Sequence, residues 1–272
     1  MTKLILKTGE RILPEKFKSK AKYLLYLRHL FGYKFAKENI SKDSFVLEVG
    51  CGEGYGTKLL SENVTKIIGL DVNKNIITHA SNKYSSENCI FKVYDGLKIP
   101  YEDDTFDAVV SLQVIEHIQD DINYVSEVYR VLKKNGMFIL TTPNRTYRLR
   151  PGQNPLNRFH IREYYPHTLE NVLKSKFSDI RIWGVRGNEE VQRIEMERFK
   201  LGLIVSLIPL NLRRLIPKPA KSVITKILKR IIHRNQKNKN DRNFLNKYNL
   251  RDFYIIKDNI RDSLDLLGIC KK

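Results

Sequence analysis

Glu48-Val49-Gly50-Cys51-Gly52-Glu53-Gly54-Tyr55-Gly56 decides the fold of this 272-residue chain. The stretch follows the apolar, β-branched run Ser44-Phe45-Val46-Leu47-Glu48-Val49 and opens a helical pattern, the strand–turn–helix context that a nucleotide-binding turn requires. Glycines at 50, 52 and 54 let the backbone turn tightly and approach a ligand without Cβ interference. N–H groups at the start of the helix suit an anionic group such as a carboxylate. Two phosphate-binding alternatives fail on spacing. The dinucleotide pattern G-x-G-x-x-G/A ends on Tyr55 when started at Gly50 and on Thr57 when started at Gly52, and no G-x-x-x-x-G-K-[ST] occurs.

Outward from the turn, short apolar strands recur at 66–70, 90–93, 107–112 and 137–142, with helical patterns between them. The clearest helix covers 120–132, where Ile122, Val125, Val128, Tyr129 and Leu132 share one face. Residues 179–185 read as a sixth strand and 263–270 as a seventh, much later in the chain. This alternation predicts a parallel α/β sheet covered by helices on both sides. Asp71 ends the second strand, 21 residues beyond Gly50, where a carboxylate can accept from both hydroxyls of a ribose. Asp95 ends the third and is placed to accept from an exocyclic adenine amine. A single Asp is more often a surface carboxylate or helix cap. Two acids and a glycine turn at successive strand ends instead indicate a nucleoside site, because ligands of open α/β sheets bind at those ends.

Composition narrows the class. Hydrophobic residues at 42% and charged residues at 29% exclude a disordered chain and a multi-span membrane protein. The apolar run 201–212 is interrupted by Pro209 and is too short to span a bilayer, and the N-terminus carries no signal-peptide core. Three scattered cysteines (Cys51, Cys89, Cys270) give neither a disulfide framework nor a zinc spacing, which points to a reducing cytoplasm. Lys plus Arg number 49 against 30 acids, and residues 201–272 alone hold 17 basic and 5 acidic residues. Such a concentration suits an anionic surface, either nucleic acid or the cytoplasmic leaflet, or else a solvated tail.

The expected organisation is a helical N-terminal segment (1–40), a core (41–185 and 263–272), and a basic amphipathic insertion (186–262) between strands six and seven. Within the insertion, Val223, Ile224, Ile227, Leu228, Ile231 and Ile232 form an apolar stripe among Lys221, Lys226, Lys229, Arg230 and Arg234. That pattern over 201–234 suits a helix at an anionic membrane interface, or a helical pair packed on the core or on a second subunit. Nucleic acid is disfavoured, since aromatic stacking platforms are sparse between 201 and 243.

The motifs V-L-E-V-G-C-G-E-G-Y-G, G-L-D-V, Y-D-G-L-K-I-P-Y-E-D-D-T-F-D-A-V-V-S-L-Q-V-I-E-H-I and R-V-L-K-K-N-G-M-F-I-L-T-T-P-N resemble those of class I S-adenosylmethionine-dependent methyltransferases, over about residues 40–185. Four shorter stretches, T-G-E-R-I-L-P-E, H-L-F-G-Y-K-F-A, N-R-F-H-I-R-E-Y and S-L-D-L-L-G-I-C, are similar to methyltransferases of polysaccharide and glycolipid biosynthesis. The resemblance implies a seven-stranded Rossmann-like sheet of order 3-2-1-4-5-7-6 with an antiparallel last strand. It implies that Glu48, Gly50, Cys51, Gly52 and Gly54 line the methionine part of S-adenosylmethionine. By the same likeness Asp71 and Val72 border the ribose, Asp95 and Gly96 the adenine, and Gln113 the sulfonium. S-adenosylhomocysteine is the implied product.

Methyl transfer from a sulfonium is an in-line displacement, so positioning supplies most of the rate. A sugar hydroxyl also benefits from a base near the operating pH. His117, just after strand four, and His160, in a polar loop after strand five with Arg162 and Tyr164, are the candidates. Each also fits a structural histidine, and the loop suits closure over an acceptor. No D/N-P-P-Y/F follows strand four, which argues against methylation of base amino groups, and no His, Asp or Glu cluster has metal-ligand spacing. The expected activity is O-methylation of a small-molecule or lipid-linked glycan acceptor. RNA, quinone-like lipids and small metabolites are alternative acceptors, and a silent cofactor-binding module is the alternative of another class.

Overall fold

The computed structural model describes residues 17, 19–206 and 244–272. Helix α1 (Lys20–Asn39), capped by the Ser19 hydroxyl, precedes β1 (Phe45–Val49), α2 (Tyr55–Ser61), β2 (Lys66–Asp71), α3 (Lys74–Tyr84) and β3 (Cys89–Val93). There follow β4 (Phe106–Leu112), a 3-10 turn at Ile115–His117, α4 (Asp121–Val131), β5 (Leu132–Pro143), α5 (Arg145–Arg148), α6 (Pro166–Leu173) and β6 (Asp179–Gly187). The chain ends with α7 (Glu189–Ser206), α8 (Phe244–Lys247), β7 (Phe253–Ile256) and β8 (Asp265–Lys271).

All eight strands form one sheet of order β3-β2-β1-β4-β5-β8-β6-β7. The pairings among β1 to β5 are parallel, and β8 runs antiparallel to both β5 and β6. The expected sheet is therefore corrected from seven strands to eight. The expected order is retained, with β8 as its late antiparallel strand, and β7 is added at the edge, antiparallel to β6. Phe253 is buried while Tyr254 is 43% exposed, so a four-residue segment read as part of the insertion becomes an edge strand with one covered face.

Alternation along β1 assigns its side chains to two layers. Leu47 and Val49 join Val109, Phe138, Val125, Val128, Leu169 and Leu173 beneath α4 and α6. Val46 packs with Tyr33, Ala36, Leu60, Ile77, Ala80 and Val110 beneath α1, α2 and α3. A third cluster joins α1 and α7 to the far half of the sheet through Leu24, Leu27, Val191, Ile194, Phe253 and Leu267. It encloses a charged group: Arg28 Nε lies 2.9 Å from Asp265 Oδ2, and Arg28 Nη1 lies 3.4 Å from Glu195 Oε2, all three side chains being buried. Among the described residues no helix is long and apolar enough to cross a membrane. The basic stretch 221–234 and the second half (207–212) of the apolar run 201–212 lie outside the described residues.

Candidate functional site

Between β1 and α2 the chain makes its turn with Gly50, Gly52 and Gly54 at φ +78°, +52° and +82°. Their surroundings differ. A Cβ on Gly50 would meet Val114 Cγ2 at 2.4 Å, and one on Gly54 would meet Ala80 Cβ at 2.7 Å and Phe91 Cε1 at 2.9 Å. A Cβ on Gly52 would meet nothing within 4 Å. Gly50 and Gly54 thus allow the turn to pack against the protein, while Gly52 brings bare backbone to an open space.

The turn is fixed to the end of β2. The N–H groups of Gly50 and Cys51 donate to the Leu70 carbonyl at 2.7 and 2.9 Å. Asp71 accepts from Gly52 N–H through Oδ2 at 3.2 Å and from Asn73 N–H through Oδ1 at 2.8 Å. Burial raises its pKa above the usual carboxylate value, against the lowering effect of those two bonds. Asp95 is exposed, and its Oδ1 accepts from Leu97 N–H and Lys98 N–H, which hold its pKa low. Gly96, at φ +80°, passes so close to Val72 that a Cβ would lie 2.9 Å from Val72 Cγ1. Val72, Val93 and Leu97 are exposed by 46%, 45% and 74%, an apolar surface around the two acids suited to a flat aromatic base.

Glu48, expected beside the methionine part of a cofactor, is wholly buried on the α1/α2 side of β1. Its Oε1 accepts from Tyr33 O–H at 2.6 Å and its Oε2 from Thr57 O–H at 2.5 Å. Burial pushes its pKa up to about 7 despite both hydrogen bonds. The Cys51 side chain is likewise buried, its thiol pushed well above the ordinary value, so the turn presents backbone rather than sulfur at that residue. Tyr33 and Thr57, which hold Glu48, carry no sequence signal of their own.

Gln113 follows β4 directly, at φ +60°, a conformation that non-glycine residues seldom adopt. Its N–H donates to the Thr141 carbonyl at 2.8 Å and its Nε2 to Thr141 Oγ1 at 3.2 Å. The next residue, Val114, fills the space beside Gly50, so the strained position lies against the glycine turn. His117 is half-buried in the 3-10 turn that follows, with Nδ1 2.9 Å from the Phe159 carbonyl oxygen. A carbonyl only accepts, so Nδ1 carries the proton and Nε2 is the basic nitrogen. The His160 side chain is fully buried, its Nδ1 2.9 Å from Glu163 Oε1. The two imidazoles meet edge to face with centroids 4.9 Å apart. Glu116, which sequence reading passed over, is buried beside them and accepts from Thr142 O–H at 3.0 Å.

The loop after β5 corrects one expectation. Ile161 N–H donates to the Glu116 carbonyl at 2.9 Å, Arg162 Nη2 to the Gln119 carbonyl at 2.8 Å, and Tyr164 O–H to Asp121 Oδ2 at 2.7 Å. With Arg162 also paired to Asp121, the loop is bonded to the segment after β4 and forms a fixed wall rather than a closing flap.

Residues 47–140 match a family model described as a methyltransferase domain. A probable S-adenosylmethionine-dependent methyltransferase of Mycolicibacterium smegmatis is 35% identical over 169 residues, covering 62% of this chain and 63% of that protein. One from Mycobacterium tuberculosis is 33% identical over 181 residues, 65% and 63% of the two chains. The matched region thus spans 63% of each relative's length. Among solved structures, a possible histamine N-methyltransferase of Thermotoga maritima superposes with a TM-score of 0.56 at 13% identity, covering 93% of this chain and 94% of that one, a likeness of fold alone.

Over residues 47–140 this chain is thus similar to a methyltransferase domain, on a Rossmann-like fold, and the relatives it matches over 63% of their length are named for dependence on S-adenosylmethionine. The residues present fit it: the bare backbone at Gly52 is a cradle that a Cβ would fill, and its N–H is bonded to the half-buried Asp71 carboxylate.

Proposed function

We propose that this chain transfers a methyl group from S-adenosylmethionine to a hydroxyl of a glycan or glycolipid precursor. The cofactor supplies an activated methyl on a sulfonium. In the transfer the S–CH3 bond breaks with its electron pair left on sulfur, the O–CH3 bond forms, and the hydroxyl proton leaves to a base or to water. The observation that carries the reading is the open cradle at Gly52 beside Asp71, followed at the end of β4 by strained Gln113 and by His117 with Nε2 as its basic nitrogen. Gly52, Asp71 and the Val72–Leu97 surface bind and orient the adenosyl compound. Thr141 holds Gln113 at the strand end. The Phe159 carbonyl fixes the tautomer in which His117 takes a proton from an acceptor, a contribution of typically 10²–10⁴-fold.

A quinone-like acceptor is the second reading. A relative named as a ubiquinone biosynthesis O-methyltransferase, from Dictyostelium discoideum, is 33% identical over 135 residues. Incubating the full chain with methyl-labelled S-adenosylmethionine and a panel of hydroxylated sugars, lipid-linked sugars and polyphenols tests both readings. Label recovered as an O-methyl ether of a sugar supports the first reading, and label on a phenol supports the second. Label found only on nitrogen or carbon, or no label on any acceptor from protein that binds S-adenosylhomocysteine, overturns the hydroxyl assignment.

A further inference from the structure

Folding brings together three groups that lie 44 residues apart in sequence at their extremes. One donor atom from each of Glu116, His117 and His160 lies within 4.8 Å of the other two. Every member is held from behind. His117 Nδ1 faces the Phe159 carbonyl oxygen, which fixes Nε2 as its ligand nitrogen. His160 Nδ1 faces Glu163 Oε1, itself 3.5 Å from Arg148 Nη2, which fixes the same tautomer. Glu116 accepts from the Thr142 hydroxyl. Imidazoles whose far nitrogen is bonded to a carbonyl or a carboxylate, and a carboxylate that is itself hydrogen-bonded, are the outer-shell arrangement that orients metal ligands.

From this geometry we infer that Glu116, His117 and His160 form a two-histidine, one-carboxylate site for a first-row divalent cation, at the carboxyl edge of β4 and β5. Two imidazole donors favour manganese, iron, cobalt or zinc over magnesium or calcium, which take oxygen ligands. A cation about 2.1 Å from each donor sets the donors about 3.3 Å apart, so the cluster contracts by at most ~1.5 Å, a movement that side-chain torsions supply. His117 is the half-buried member, Glu116 and His160 being buried. The site's consequence for catalysis rests on the methyl-transfer reading. With the cation bound, His117 Nε2 is occupied and takes no proton, so the base role holds for the metal-free chain alone. Positive charge at this edge then lowers the proton affinity of an acceptor hydroxyl, whose proton leaves to water.

Chelator-stripped full-length protein titrated with Co2+, read by calorimetry and by visible absorption, tests the site. One Co2+ per chain at micromolar affinity is expected, with binding weakened at least about tenfold in His117→Ala and in His160→Ala. Glu163→Gln, which touches no ion, is expected to weaken binding about 10- to 100-fold by releasing the His160 ring. Far-UV circular dichroism confirms folding of each variant. Should a buried substitution unfold the chain, His117→Ala decides alone. Absence of binding below ~1 mM Co2+, or binding unchanged by His117→Ala, overturns the site. S-adenosylhomocysteine is titrated into the same metal-free samples. Its binding without Co2+ binding removes only the cation site, while Co2+ binding without it removes the cofactor reading and leaves the cation site standing.

Discussion

Replacing Gly52 by alanine separates a ligand cradle from a structural turn. The residue sits at φ +52°, where an L-residue costs about 1–2 kcal/mol. Alanine recovers part of this, about 0.4–1 kcal/mol, by reducing the freedom of the unfolded chain. Since nothing lies within 4 Å of the new methyl, no overpacking is added, and the net loss is about 1 kcal/mol. That lowers the melting temperature by roughly 3 °C for a chain of this size. Gly54→Ala suffers the same strain at φ +82° and drives its Cβ to 2.7 Å from Ala80 and 2.9 Å from Phe91. Overpacking adds about 1–3 kcal/mol, so melting falls by on the order of 10 °C. Affinity reverses the ranking: the Gly52 methyl occupies the cofactor's space, and displacing the ligand from even one or two hydrogen bonds costs about 2–3 kcal/mol, on the order of 100-fold in Kd. Scanning fluorimetry and calorimetry with S-adenosylhomocysteine measure the two effects. A folded Gly52→Ala protein that binds as tightly as wild type would refute the cradle.

Three further outcomes follow from the buried charges and from His117. Glu48 titrates at about 7 in the folded chain against 4.5 unperturbed, so its contribution to stability is fully present below pH 4.5 and is lost as pH rises to 7. The loss is about 3 kcal/mol, and denaturant melts of Glu48→Gln should lack this slope. Arg28→Ala leaves the buried Glu195 and Asp265 without this cation and should cost about 3–5 kcal/mol in urea unfolding. A loss below about 1 kcal/mol would mean that the triad contributes little. His117→Ala should lower turnover by about 10²–10⁴-fold while the Kd for S-adenosylhomocysteine stays within a few-fold; unchanged turnover removes His117 from the mechanism.

Local pattern made much of the fold legible. The glycine spacing at 50, 52 and 54 and the β-branched runs at 45–49 and 106–112 are decided within a few residues of one another, and they sit where sequence reading puts them. The position of Asp71 as the last residue of β2 is legible for the same reason, while Asp95 falls two residues beyond the end of β3. Phe253–Ile256 is not, because four residues become a strand only by pairing with Gly184–Gly187, about 70 residues earlier. The direction of Glu48 is present in the same pattern. Period-two alternation places it on the Val46 face, toward Tyr33 and Thr57, whereas the resemblance directs attention to the ligand.

The loop after β5 shows why the acceptor side resists reading from sequence. Arg158-Phe159-His160-Ile161-Arg162-Glu163-Tyr164 is polar and follows a strand, which is how a mobile flap also looks. What distinguishes a wall from a flap is where its polar groups find partners, and here these come from the segment after β4: Glu116 and Gln119 through their carbonyls, Asp121 through its carboxylate, and His117 through its ring. Opening the loop would break all of these bonds together, at roughly 1 kcal/mol or more for each. A wall of that kind places His117 and His160 in one arrangement before any ligand arrives. The site's chemistry is therefore set by folding rather than by closure, and acceptor selection falls to whatever lies opposite this wall.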